Sequence, residues 1–167
     1  MDISSDFSDL FKTLNKHRVK YLVAGAYAVI YHTEPRFTKD LDVWVKADRI
    51  NAVKLYKALH AFGAPLKNLS LDDLTNENLV YQIGVAPVRI DIIMGLGGLP
   101  FDSAWKSRVR SSYGRMPINI MGIRHLIAAK KRAGRPQDLM DLEKLRNKIS
   151  KAARKKRNSP LKTIQST

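Results

Sequence analysis

The sequence predicts an α+β fold in which a small sheet packs against helices, with further helices and then a basic tail on the C-terminal side. Three observations predict it. The apolar strand RVKYLVAG ends at a glycine and passes directly into the apolar helix AYAVIYHT. TKDLDVWV, residues 38–45, alternates polar and apolar residues with the period of a half-exposed strand. NLVYQIGVAPVRIDIIM reads as two more strands joined by a turn around Gly84 to Pro87.

The elements follow in order. Residues 6–17 form a short helix that leads into the first strand. The loop EPRFT delivers the chain from the second helix to the strand with two aspartates. Asp48 suits the cap of the next helix, where Ile50, Val53, Tyr56, Leu59 and Phe62 recur at helical spacing and Gly63 stops the run. SLDDL is a capped turn, GLGGLP a loop, FDSAWKSRV a short helix and MPINIM a short strand. From Gly122 a helix presents Ile123, Leu126 and Ile127 on one stripe, and the next position of that stripe is Lys130, a lysine where a leucine is expected. Gly134 ends this helix, and Pro136 opens another that carries Asp138, Leu139, Asp141, Leu142, Leu145 and Ile149. We read residues 1–150 as one domain and 151–167 as a flexible basic tail.

With 167 residues and 44% hydrophobic content, the chain has enough apolar material for a core. Its longest apolar stretch, YLVAGAYAVIY, is too short to span a bilayer, and MDISSDFSDLF lacks the basic start and apolar run of a secretion signal. A cytoplasmic location without membrane attachment is expected. With no cysteine there are no disulfides or thiolate metal sites, so a bound metal would need oxygen or imidazole ligands. The net charge is +15, and the tail alone holds six Lys or Arg with no acid, leaving 24 bases against 15 acids in the body. A surface of that sign attracts polyanions; the plainer alternative is a solubilising surface with a solvated tail.

Asp40 and Asp42 point to the same face of their strand, and Leu41, Val43 and Val45 to the other. In VRIDIIM, Arg89 and Asp91 likewise lie opposite Ile90, Ile92 and Met94. If the two strands are neighbours with their apolar faces aligned, three carboxylates converge on one surface. Such a cluster is hard to keep ionised without a divalent cation, and hard oxygen ligands favour Mg²⁺ or Mn²⁺. Alternating aspartates on a strand that simply faces water are the alternative.

In these parts the chain resembles the nucleotidyltransferase superfamily of the DNA polymerase β type, whose pattern is a strand, a Gly-Gly or Gly-Ser helix start, a DxD strand and a third carboxylate on a separate strand. Here these are VAGAYAVIYH, TKDLDVWV and VRIDIIM. The resemblance implies a mixed sheet, metal ligation by Asp40, Asp42 and Asp91, and a nucleoside triphosphate substrate such as ATP. Its phosphates would lie against Gly25 and Ala26. Ala26 departs from the pattern and lacks the hydroxyl a serine would add, although the helix-start amides still face an anion. GIRHLIAAKKRAGRPQDLMDLEKL looks like the closing helices of small prokaryotic members, among them toxins of abortive-infection and toxin–antitoxin systems; this maps onto Lys130, Arg135, Asp138 and Asp141. The match touches most of residues 19–146.

For supporting roles, Lys130 is the first candidate to stabilise charge on the leaving phosphates and Arg36 the second, with Lys39 beside it. Each has a plainer reading: Lys130 snorkelling to solvent, Arg36 and Lys39 as loop charges, Asp138 complementing a helix dipole, Asp141 fixing Lys130 or Arg135, and His32 as a hydrogen-bonded helix-end histidine. Tyr27 and Trp44 suit core packing better than base stacking. Three functions remain open: transfer of a nucleoside monophosphate to RNA, such as a tRNA end, by a toxin-like enzyme with an antitoxin partner; the same transfer to a small molecule; and a nucleic-acid-binding module with a weakened phosphate loop.

Overall fold

The computed structural model describes residues 4–85 and 87–159; Ala86 in the expected turn and residues 160–167 of the expected tail lie outside the described residues. The helices are α1 (Ser5–Lys16), α2 (Gly25–His32), α3 (Arg49–Phe62), α4 (Phe101–Lys106), α5 (Ile123–Ala133) and α6 (Pro136–Arg157). The strands are β1 (Tyr21–Val23), β2 (Asp40–Val45), β3 (Val80–Val85), β4 (Val88–Ile93), β5 (Val109–Tyr113) and β6 (Met116–Ile120). They form one mixed sheet in the order β3-β4-β2-β1-β6-β5. β2 runs parallel to β4 and β1 parallel to β6, whereas β1–β2 and the hairpins β3–β4 and β5–β6 are antiparallel. The fold is the expected α+β architecture with helices against a small mixed sheet. Among the described residues no helix is long and apolar enough to cross a membrane.

Register fixes the two faces of the central strands. Tyr21 lies opposite Val45, and its ring stacks on Phe11 of α1, so the Leu41, Val43 and Val45 side of β2 faces the α1 layer. Leu22 lies opposite Trp44 on the other face, where Trp44 is buried and meets Phe101 of α4 edge to face. Tyr27 packs against Phe7 and Tyr113. Both aromatics therefore belong to packing. Asp40 and Asp42, on the same face as Trp44, lie beyond the stretch that α4 covers and remain partly accessible.

Several local expectations hold and several shift. Asp48 caps α3 by accepting from the Asn51 amide at 2.7 Å, and Gly63 ends the helix. The buried stripe of α3 is rotated, however: Asn51, Ala52, Leu55, Ala58 and Leu59 face inward, while Ile50 is 73% exposed. The cause is Asn51, whose carboxamide accepts from the Lys20 amide and donates to the Lys20 and Lys46 carbonyls, pinning the first turn to the ends of β1 and β2. FDSAWKSRV is helical only to Lys106, and Val109–Tyr113 forms an additional strand paired with β6. α6 continues to Arg157, past the expected boundary at residue 150.

Candidate active site

β2 and β4 are adjacent and parallel, with Asp42 directly opposite Asp91 and Asp40 opposite Arg89. The three candidate carboxylates therefore share one sheet face, at the mouth of a pocket of about 290 Å³. Ala26 of α2, Arg36 and Thr38 of the following loop, Lys130 of α5, and Arg135, Gln137 and Asp138 at the start of α6 complete its lining. Lys39, in the bend just before β2, does not join this lining and is exposed.

Gly25 supplies the contact between α2 and β2. Its φ of +57° suits glycine, and a Cβ there would overlap the Asp42 carboxylate. Ala26 is under neither constraint, which explains why alanine is accepted one position later. The turn is tied to β2 by the Ala24 amide, which donates to the Asp42 carbonyl at 2.9 Å. As a result the start of α2 faces the carboxylates.

Arg89 occupies the space between two of the acids. Its guanidinium lies 2.9 Å from Asp40 and 3.2 Å from Asp91. Strand parity puts Arg89 on the face of Asp91 in VRIDIIM, and that parity is the signal in the sequence that points to it. Arg89 does not satisfy the whole cluster. Asp91 Oδ1 is buried without a hydrogen-bond partner, as are the Nε atoms of Arg89 and Arg36. Burial, and then the charge of Asp91, push the Asp42 carboxyl up to about 6 despite the opposing effect of Lys130.

Behind the pocket, Lys130 turns inward instead of snorkelling. It is buried and bridges Asp138 at 2.9 Å and Asp141 at 3.0 Å. Asp141 also binds Arg36 at 3.1 Å, and Asp138 binds the Arg135 Nε at 2.8 Å while accepting from the Arg135 backbone amide. Burial opposes the ionisation of Asp138, but the hydrogen bonds and charges of Arg135 and Lys130 outweigh it and hold the carboxyl below its usual value. His32 donates through Nε2 to the Met121 carbonyl at 2.8 Å and has a structural role.

The lining acids Asp40, Asp42, Asp91 and Asp138 are matched by Arg36, Arg89, Lys130 and Arg135, and Asp141 lies just behind. A pocket so balanced has no surplus positive charge for a polyphosphate, so binding one calls for added cations. Among the described residues no three acidic or imidazole groups are gathered into a finished metal centre. The donors nonetheless suit a hard divalent cation: carboxylate oxygens only, one of them buried and unpartnered, beside an acid short of positive charge. To bring Asp40 and Asp91 onto one ion, Arg89 must swing aside.

This architecture, a mixed sheet with helices around it, is one found among solved structures described as nucleotidyl- or adenylyltransferases. Two solved structures share it. One is a protein from Thermotoga maritima described as a nucleotidyltransferase, with a TM-score of 0.53 and 15% identity over 84% of this chain and 90% of that one. The other is the lincosamide antibiotic adenylyltransferase LnuA bound to lincomycin, with a TM-score of 0.54 and 12% identity over 87% of this chain and 98% of that one. No family model and no curated protein matches the chain by sequence.

Proposed function

We propose that the protein is a metal-dependent nucleotidyltransferase that moves a nucleoside monophosphate from a nucleoside triphosphate to a hydroxyl acceptor, and that the acceptor is RNA. The observation that carries this reading is the register of β2 and β4, which sets Asp42 opposite Asp91 with Asp40 beside them, facing the start of α2. The shared fold of the two nucleotidyltransferase structures supports it.

Asp40, Asp42 and Asp91 would hold Mg²⁺ or Mn²⁺, which when bound neutralises phosphate charge and makes the acceptor hydroxyl a better nucleophile. The chain's own groups do the rest. Amides at Gly25 and Ala26 receive the phosphates at the helix start. Arg36, with an unpartnered Nε, is assigned to neutralise the charge that develops on the leaving group. Lys130 holds Asp138 and Asp141 in place behind it. Asp91 Oδ1 takes the proton of the acceptor hydroxyl as its oxygen bonds to the α-phosphorus. The α–β phosphoanhydride bond breaks and pyrophosphate leaves.

The test is incubation of the purified protein with Mg²⁺, each labelled nucleoside triphosphate in turn, and total RNA. Label enters RNA with the native protein, and Asp42→Ala abolishes it while circular dichroism stays unchanged. Undiminished labelling by the variant removes the ligand assignment. A toxin-like role with an antitoxin partner belongs to this reading and is tested by growth arrest on expression of the native chain but not of the Asp42→Ala chain.

A small-molecule acceptor is the second reading, favoured by the lincomycin bound to LnuA. Label on a lincosamide and none on RNA would select it. A cationic acceptor is disfavoured by the net charge of +15.

A further inference from the structure

The same two elements that border the carboxylate pocket also border a second cavity. The loop after α2 contributes Arg36 and Thr38 to the pocket and Thr33 and Glu34 to a groove of about 320 Å³. α6 contributes Gln137 and Asp138 to the pocket and Lys144, Lys148 and Lys151 to the groove. The Arg36–Asp141 ion pair marks the seam between them. The two cavities thus lie along the same loop and the same helix, on either side of that ion pair.

The two cavities differ in charge. At the pocket, acids and bases balance. In the groove, three lysines recur at helical spacing along one face of α6, opposed only by Glu34, which pairs with Lys144 at 3.0 Å. Lys148 and Lys151 enter no ion pair among the described residues, and both are exposed. Phe37, in the loop between Arg36 and Thr38, is 77% exposed. A large apolar ring left in water, on the loop that also borders a cationic groove, supplies with the lysines the two kinds of contact that single-stranded nucleic acids use, backbone on cations and a base on a ring.

Building on the nucleotidyltransferase reading, we propose that this groove is the acceptor track: a single-stranded RNA end lies along Lys148 and Lys151, stacks a base on Phe37, and brings its terminal hydroxyl past Arg36 to the carboxylates. The occupant is single-stranded because the unpaired lysines form one row on one helix and stacking on Phe37 takes an unpaired base.

The experiment measures binding apart from chemistry. Fluorescence anisotropy of a short labelled single-stranded RNA is followed over a salt series, in EDTA and without nucleotide, for the full chain and its variants. The double variant Lys148→Gln/Lys151→Gln, both at exposed positions, weakens binding about tenfold at low salt and flattens the log–log salt slope by about 1.4. Phe37→Ala weakens binding about 5- to 150-fold without changing the slope. Asp42→Ala binds at least as tightly as the native chain. Native affinity and slope in the lysine variant would overturn the track. So would loss of binding in Arg110→Gln instead, since Arg108 and Arg110 line another basic surface next to Trp105. If the native chain binds through the groove but labels no RNA with any nucleoside triphosphate, the transfer reading fails and the track stands.

Discussion

Asp42 is the residue on which position and cost are most closely linked. It is partly buried, faces Asp91 across the strand pair and touches the glycine turn of α2. Its folded carboxyl titrates near 6, above its ordinary 3.8, so the folded state binds a proton there more readily than the unfolded chain does. The corresponding stability is present in full below about pH 4 and is lost as pH rises through about 6. In metal-free protein at pH 8, Asp42→Asn is expected to raise stability by about 1–3 kcal/mol, and the gain should fade toward pH 4. Urea denaturation in EDTA at several pH values checks this. Added Mg²⁺ should stabilise the native chain and leave the asparagine variant unmoved. A variant less stable than the native chain at pH 8 would mean that Asp42 contributes to folding instead of costing it.

At the scale of elements, the α5–α6 pair is held by a charge where a leucine would suffice for packing. Lys130 ends the apolar stripe of α5 and reaches two acids on the first turns of α6. Gly134, in the left-handed region at φ +63°, lets the chain turn between them. Lys130→Met keeps the volume and removes the bridge, leaving Asp138 to Arg135 and Asp141 to Arg36. A loss of about 3–5 kcal/mol is expected, with α6 fraying first in hydrogen exchange. Protection of α6 equal to that of the native chain would show that apolar contacts alone dock it.

How far the sequence carries depends on the element. β2 and β4 are legible because acidic or basic and apolar residues alternate strictly in DLDV and RIDI; alternation gives the face of each aspartate, and the pairing of the two strands brings Asp91 beside Asp40 and Asp42. β5 was not, because VRSSY contrasts weakly and its residues are half-buried at most. The α3 stripe was misplaced by one position because spacing rules reward Ile50 and take no account of a buried asparagine that bonds to two strand ends. Lys130 was flagged as anomalous from periodicity alone, but its partners became visible only once α6 folded back onto α5.

For the molecule as a whole, charge is the dominant property. A net +15 over 167 residues, with α6 extending about 33 Å and ending in RKKR, gives a field that attracts polyanions. The rate constant kcat/KM for labelling RNA should therefore fall steeply between about 50 and 200 mM salt, while that for a neutral small acceptor should hardly change. Equal salt dependence for both acceptors would indicate that the field acts on the nucleotide alone.

The guanidinium between Asp40 and Asp91 also bears on how the chain comes to be ready for use. Arg89, on the same strand as Asp91 and directly opposite Asp40, bridges the two acids once β2 and β4 pair, so folding need not wait for an ion from outside. On the metal-dependent reading proposed above, the newly made protein would mature in a metal-poor environment and be charged later, by exchange of one positive partner for another.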